Sequence, residues 1–227
     1  MESFELTPAL EDYVKVIWAA SEWEERSCTI GELARQLGFA PSSVSETVKR
    51  MASLGLVDHQ PYGGITLTSA GERAAVAMIR RHRIIETYLV RTFDYSWDEV
   101  HDEAERLEHA ASDRLIDAMD AALGFPRADP HGDPIPRADG SIDDTEPSCN
   151  LTEVALDTPA VVVRVNDADA ELLRWCAKMG IAPGAHIEVR DRLTGAQQLD
   201  VVVGGHNVAM SHTAAAAVWV APLDKSK

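Results

Sequence analysis

Residues 29–67 read TIGELARQLGFAPSSVSETVKRMASLGLVDHQPYGGITL. Thr29 and Glu32 have the spacing of a capping box, in which each side chain accepts a hydrogen bond from the backbone of the other residue. They predict the start of a short helix, and Gly38 predicts its end, because glycine readily adopts the left-handed conformation that follows a helix. A short turn then leads into a second helical pattern.

The second helix is predicted to begin at Pro41 and to end before Gly55. Two short β-rich runs follow it, around the turn Pro61-Tyr62-Gly63-Gly64. An amphipathic helix over 7–24 precedes the whole stretch. This order of helices, turn and hairpin predicts a winged helix-turn-helix domain, to which we assign residues 1–70.

The second helix of this domain carries side chains suited to DNA. Short hydroxyls and a carboxylate can reach base edges in a major groove, whereas lysine and arginine suit phosphates. The expected DNA-binding residues are Ser42, Ser43, Ser45, Glu46, Lys49 and Arg50, with Tyr62 at the tip of the wing. Val44, Val48, Met51 and Leu54 are predicted to face inward. The alternative is that two short helices simply belong to an all-α core.

Composition limits the other functions of the chain. It has 227 residues, enough for one large domain or two to three small ones. Its formal net charge of −16 argues against a nucleic-acid partner unless charge is locally redistributed or bound cations neutralise part of it. Three cysteines without metal-site spacing indicate a reducing cytoplasm. We find neither an apolar run long enough to span a membrane nor a secretion signal, and therefore expect a cytoplasmic protein that makes no membrane contact.

Two stretches beyond the hairpin are rich in potential metal ligands. His82 and Glu86 lie four residues apart in a predicted helix over about 70–93. In the next predicted helix, four ligands at positions i, i+4, i+7 and i+8 fall within an arc of about 100°. These four are His101, Glu105, Glu108 and His109. Adjacent carboxylates repel unless a positive charge lies between them, so the cluster predicts a divalent cation.

Arginine side chains are the alternative source of that positive charge. Arg80, Arg81, Arg83 and Arg106 are close in sequence, and the pair His82 and Glu86 alone is typical of a solvated helix surface. If a metal binds, oxygen and imidazole ligands without thiolate favour manganese or ferrous iron, although zinc and copper bind many such sites more tightly.

The remainder of the chain divides by composition. A further helix is predicted from Ser112 to about Gly124, which closes a helical domain over 71–125. Residues 126–150 are rich in Pro, Gly and Asp and predict a linker. From 151 to 224, short β-rich runs and one helix over about 167–179 predict a small SH3-like barrel. The predicted fold class is therefore mainly α with a small β domain.

Several stretches of the chain resemble the iron- and manganese-dependent repressors of the diphtheria toxin repressor family. They are EDYVKVIW, PSSVSETVKRMASLGLVDH, ITLTSAG, RRHRIIETYLV, VHDEAERLEHAASDRL and DPHGDPIP. The likeness covers essentially the whole chain. It implies a homodimer whose subunits each have an N-terminal winged helix, a helical dimerisation and metal-binding domain, and a FeoA-type, SH3-like tail.

The resemblance also implies two metal sites. The primary site would consist of Asp12, Glu105, Glu108 and His109. The ancillary site would consist of His82, Glu86 and His101, and some family members add ligands from the tail. The candidates for such ligands here are Asp167 and Asp169, for which simple capping of the following helix is the alternative.

Three positions bear on the choice of metal. Asp12 and Glu105 stand where iron-sensing members have methionine and cysteine, so the resemblance implies the manganese-sensing branch. Lys15 stands where some short manganese sensors ligate a second, closely paired ion, and a protonated lysine cannot do so. Two separate Mn²⁺ ions per subunit are therefore expected, with Fe²⁺ as the alternative activator.

The expected function is a manganese-dependent transcriptional repressor that binds palindromic operator DNA, probing two major grooves with the two recognition helices of a dimer. Its targets are expected to include manganese-uptake genes, as the family implies. A metal-dependent enzyme is the competing class. The paired E-x-x-H motifs of four-helix di-iron centres are missing, and an enzyme would leave the winged helix unexplained, so we predict no enzymatic activity.

Overall fold

The structure is a computed structural model that describes residues 6–24, 27–59, 63–143 and 147–223. These residues form two compact units, divided at 82/83, with residues 136–141 belonging to the first unit. No helix in the described ranges is long and apolar enough to cross a membrane.

The first unit contains the predicted winged helix-turn-helix. Its elements are α1 (Pro8–Glu24), α2 (Ile30–Leu37), α3 (Pro41–Ser53), β1 (Val57–His59) and β2 (Ile65–Leu67), followed by the first part of α4 (Ser69–Phe93). β1 and β2 pair as an antiparallel hairpin. One apolar core joins α1, α2, α3 and the hairpin. The presence of the hairpin in the same core confirms the winged-helix prediction over the alternative of an all-α core.

The local signals of this domain act as predicted. Thr29 and Glu32 form both hydrogen bonds of the capping box, and Gly38 ends α2 in the left-handed conformation. The prediction that Leu54 faces inward is wrong, since this residue is 38% exposed. Leu54 is the C-cap of α3, one residue after the last helical residue, whereas Val44, Val48 and Met51 are buried.

The helical part of the second unit contains the remainder of α4, α5 (Val100–Glu108) and α6 (Asp113–Leu123). An apolar cluster from these helices includes Ile84, Leu89, Ala104 and Ile116. α6 has the predicted boundaries, with Ser112 as N-cap and Gly124 in the left-handed conformation. The N-cap of α5 is Glu99, whose carboxylate accepts a hydrogen bond from the Ser96 hydroxyl.

The tail is an antiparallel sheet with short helices, as expected for the SH3-like domain. Its strands are β3 (Cys149–Asn150), β4 (Pro159–Val165), β5 (His186–Leu193), β6 (Gln198–Val203), β7 (His206–Ser211) and β8 (Val218–Pro222), in the order β3-β8-β4-β5-β6-β7. α7 (Ala170–Met179) follows β4, and α8 (His212–Ala216) precedes β8. The sheet surrounds its own apolar core.

The segment before the tail is more ordered than its composition suggests. The Pro/Gly/Asp content of 126–150 predicts a linker, yet Asp129, His131, Asp133 and Ile135 are all buried. The side chain of Asp129 closes a tight loop by accepting the N–H groups of His131 and Asp133, at 2.8 and 2.9 Å. This loop brings polar side chains close to α4.

Candidate metal centre

Glu86 is the centre of one group of ligands in the second unit. α4 places its carboxylate in a fully buried position. Its Oε1 lies 3.3 Å from Nδ1 of His101 on α5, and the same nitrogen lies 3.4 Å from Oδ2 of Asp167. Asp167 follows β4, so three separate elements converge on one point.

The pKa values in this group show how strongly it attracts positive charge. Burial acts to lower the pKa of His101, but hydrogen bonds to Asp167 and Glu86 and their charges raise it to about 11. Burial acts to raise the pKa of Asp167, whereas the hydrogen bond with His101 lowers it, and the net direction is downward. Without metal, a proton on His101 therefore holds the carboxylates together, and a divalent cation can replace that proton.

His82 lies one helical turn before Glu86 on α4 and is buried. Its position on the same helix puts its side chain on the same side of α4 as Glu86. This is the placement expected for a member of the ancillary group.

The tail contributes one of its two candidate aspartates to the Glu86 group. Asp167 is that residue. Asp169 is exposed and caps α7, accepting the N–H groups of Glu171 and Leu172 at 2.9 and 3.1 Å. The capping interpretation therefore describes Asp169, whereas Asp167 lies against His101 of the Glu86 group.

A second group lies at the end of α5. Glu108 is fully buried, and its Oε1 is 3.6 Å from Nε2 of His109. His109 is the C-cap of α5 and keeps a helical backbone, so the i, i+7 and i+8 geometry persists to the end of the cluster. Glu105 is partly exposed, with Oε1 3.9 Å from Nε2 of His101. Asp12 lies on α1 of the first unit and is half-buried.

Arginines lie on the same two helices as the candidate ligands. Arg106 pairs with Glu103 at 3.1 Å along α5. Arg83 donates to the Pro134 carbonyl oxygen at 2.7 Å and lies 3.7 Å from Asp129 and 3.8 Å from Asp133. These contacts give Arg83 a structural role in the 129–135 loop.

Sequence reasoning missed His131. Its ring is fully buried and stacks on Trp97, with 5.6 Å between ring centroids and an interplanar angle of 22°. Nε2 lies 2.7 Å from the Trp97 carbonyl oxygen, and Nδ1 lies 3.6 Å from Oε2 of Glu86. Burial acts to lower the pKa of His131, but Glu86 and Asp129 raise it to about 10. The only signal in the sequence was the motif HGDPIP, which resembles the family but has no helical or strand periodicity.

The candidate DNA-reading residues lie on α3 as predicted. Ser42, Ser43, Glu46, Lys49 and Arg50 are exposed, and Ser45 is half-buried. Val44, Val48 and Met51 are buried beneath them and fix the opposite face of the helix. Tyr62 lies outside the described residues.

Three family models match the chain in the order of its domains. The N-terminal DNA-binding domain of iron-dependent repressors matches residues 5–65. The metal-binding and dimerisation domain of the same repressors matches residues 68–137, and the FeoA domain matches residues 149–222. Together the three models account for nearly the whole chain.

Known relatives agree with these models. The iron-dependent repressor IdeR of Mycobacterium bovis is 32% identical over 230 residues, which cover 95% of this chain and 98% of the relative. The diphtheria toxin repressor of Corynebacterium diphtheriae is 29% identical over 199 residues, covering 83% and 87%. Among solved structures, a manganese-dependent transcriptional repressor in complex with manganese has a TM-score of 0.90 and 46% identity, with 94% of this chain and all of the other covered.

Proposed function

We propose that manganese is the activating metal of this chain, which belongs to the diphtheria toxin repressor family of metal-dependent, DNA-binding transcriptional repressors. The members that it matches are repressors rather than enzymes. We accordingly expect no catalytic activity, and a location in the cytoplasm with the DNA that it regulates.

The observation that carries the manganese proposal is the chemistry of the ligands. The two groups in the second unit contain carboxylates and imidazoles, with no sulfur among them. Such hard ligands suit Mn²⁺. The solved structure with 46% identity is described as manganese-dependent, which supports the same choice. Ferrous iron remains the second candidate, because the mycobacterial relatives at 32% identity are iron-dependent repressors.

We assign two ions to each subunit. The first would be bound by Asp12 together with Glu105, Glu108 and His109, as the family resemblance implies. The second would be bound by His82, Glu86, His101 and Asp167. The convergence of Glu86, His101 and Asp167 from three elements supports the second assignment.

The proposed switch acts through a homodimer. A metal that joins Asp12 to ligands of the dimerisation domain would fix the spacing of the two recognition helices, and a palindromic operator requires that spacing. Without metal, repelling carboxylates would leave the spacing free, so that few dimers would be competent to bind. Two divalent ions per subunit would also offset four of the sixteen net negative charges.

The proposal is tested by operator binding under titration with Mn²⁺, Fe²⁺, Co²⁺ and Zn²⁺, each against a chelator control. We expect binding to rise at the lowest free concentration of Mn²⁺ relative to Fe²⁺. Equal affinity in the presence of the chelator would exclude a metal switch. A stronger response to Fe²⁺ under anaerobic conditions would instead favour the second candidate.

A ligand exchange tests the primary site. Asp12→Met with Glu105→Cys replaces two oxygen ligands by sulfur and should shift selectivity toward iron, because sulfur is the softer ligand. Asp102→Asn with Glu103→Gln is a matched control, since both residues lie on α5 outside the proposed ligand set. Unchanged selectivity in the ligand-exchange variant would contradict the assignment.

A further inference from the structure

His131 lies beside the proposed second site but is not one of its ligands, and two contacts hold its ring. Nε2 lies 2.7 Å from the Trp97 carbonyl oxygen, which can only accept a hydrogen bond, so Nε2 carries the hydrogen. The ring also stacks on the Trp97 indole. Because these two contacts fix the position of the ring, the other nitrogen, Nδ1, faces Oε2 of Glu86 at 3.6 Å.

The two oxygens of the Glu86 carboxylate therefore face different partners. Oε1 faces His101, which belongs to the proposed site. Oε2 faces His131, which approaches from the loop before the tail. A buried carboxylate held at one oxygen presents the other in a defined direction, and such outer contacts orient metal ligands generally.

The main chain of the same loop is attached to the strand that leads to Asp167. The carbonyl oxygen of His131 accepts the N–H of Val165 on β4 at 2.9 Å. Gly132 packs so closely on β4 that an added Cβ would overlap the Val163 carbonyl oxygen. Arg164 on β4 donates to the Asp133 carboxylate. Asp167 follows Val165 by two residues, so this loop fixes the tail at the point where it supplies a ligand.

We propose that His131 is a positioning residue of the second metal site, whose side chain orients Glu86 and whose main chain places Asp167 through β4. The proposal rests on the proposed function, because it assumes that Glu86, His101 and Asp167 bind an ion. The inference adds to that function a role for the loop around His131, which would couple metal binding to the docking of the tail.

The local charges favour this role over a third metal ion at His131. The negative charges of three carboxylates in this unit act on the ring, those of Glu86, Asp129 and Asp167. Arg83 and Arg164 supply two positive charges next to Asp133. These guanidiniums already neutralise part of the negative charge of the loop without an ion at the ring.

The test compares His131→Phe and His131→Gln with the wild-type chain by Mn²⁺ titration calorimetry and by electron paramagnetic resonance counting of bound ions. Phenylalanine keeps the stacking on Trp97 and removes both nitrogens. We expect its second-site affinity to fall by about 10- to 100-fold, the usual effect of losing an outer contact of a metal site, while the first ion binds unchanged. Glutamine keeps an N–H group that can face Glu86 and should restore part of the loss.

Hydrogen exchange supplies a readout independent of affinity. In the wild-type chain, Mn²⁺ should increase the protection of the Val165 amide, because its acceptor is His131. In His131→Phe, the same concentration of Mn²⁺ should leave that protection at its metal-free level. His206→Phe is the control, since His206 is an exposed histidine at the start of β7 in the same tail.

The outcomes separate this inference from the proposed function. Wild-type affinity for both ions in His131→Phe and His131→Gln would overturn the positioning role and leave the two-ion proposal intact. Three ions in the wild-type chain, with one lost in His131→Phe, would make His131 a ligand and also overturn it. A wild-type chain that binds only one ion would overturn the second site itself.

Discussion

Replacement of Asp133 by asparagine tests how strongly the loop at 129–135 is held against the tail. The Asp133 side chain is 3% exposed and lies between Arg164 on β4 and Arg83 on α4. Removal of one member of a buried ion pair costs about 3–5 kcal/mol, because the remaining charge is left without compensation. Arg83 would keep Asp129 at 3.7 Å, so we expect a value near the lower limit, about 3 kcal/mol.

The measurement is urea unfolding of the metal-free protein in chelator, followed by tryptophan fluorescence and by far-ultraviolet circular dichroism. For a slope of about 1–3 kcal/mol per molar urea, a loss of about 3 kcal/mol lowers the midpoint by about 1–3 M. The matched control is Asp157→Asn. Asp157 pairs with Arg190 at 2.9 Å, but both side chains are about half exposed or more, at 67% and 49%.

The control should change stability by less than about 1 kcal/mol, as exposed pairs do. Asp157 also has a positive φ of 54°, which asparagine tolerates. Equal midpoint shifts for the two variants would mean that the Asp133 network contributes no more than a surface pair. In that case the close attachment of β4 to the loop would need another cause, such as the packing of Gly132.

Three further predictions concern titration, DNA reading and the thiols. Burial acts to lower the pKa of His101, but Asp167 and Glu86 raise it to about 11, above the unfolded value of about 6.5. The contribution of His101 to stability is therefore complete below about pH 6.5 and is lost as the pH rises toward 11. The urea midpoint of the metal-free protein should fall between pH 7 and 10, and His101→Gln should make that fall smaller. Glu46→Gln should shift base preference from cytosine toward adenine by about 1–3 kcal/mol at one operator position. Lys49→Ala should weaken binding to all operator sequences alike and reduce the dependence of log affinity on log salt concentration by about 1. Operator titrations measure both effects. Cys28 and Cys176 are buried, and burial raises the pKa of the Cys176 thiol to about 11, so a thiol reagent at pH 8 should modify only Cys149 in the folded chain and all three cysteines in urea.

Local chemistry explains why much of the helical fold was predictable. The Thr29–Glu32 box, Gly38 and Gly124 act within a few residues of themselves, and the structure realises each of them. β7 was not predicted, because HNVAMS has no continuous β-branched run, even though Gly204 and Gly205 before it form a two-residue turn. Its place in the sheet comes from pairing with β6, a contact that periodicity does not encode.

The candidate site divides in the same way. Glu86 on α4 and the cluster on α5 could be proposed as ligands from sequence, because helical spacing brings the candidate ligands of each helix to one face. Asp167 and His131 could not be ranked in this way, since each reaches Glu86 through a loop. Composition was misleading for the loop at 129–135, because proline, glycine and aspartate suit both a solvated linker and a tight buried turn.

This arrangement gives a physical reason for the excess of acidic over basic residues in the chain. Buried carboxylates such as Glu86, Glu108 and Asp133 are unfavourable without a positive partner. The Asp133 carboxylate pairs with two guanidiniums, so its charge is compensated with or without a bound metal. Glu86 is instead faced by imidazoles, which hold a proton or yield to a metal. On the proposed assignment of the second site, Asp133 would maintain structure and Glu86 would respond to a cation, which would let a protein with a net charge of −16 make DNA binding depend on a divalent ion.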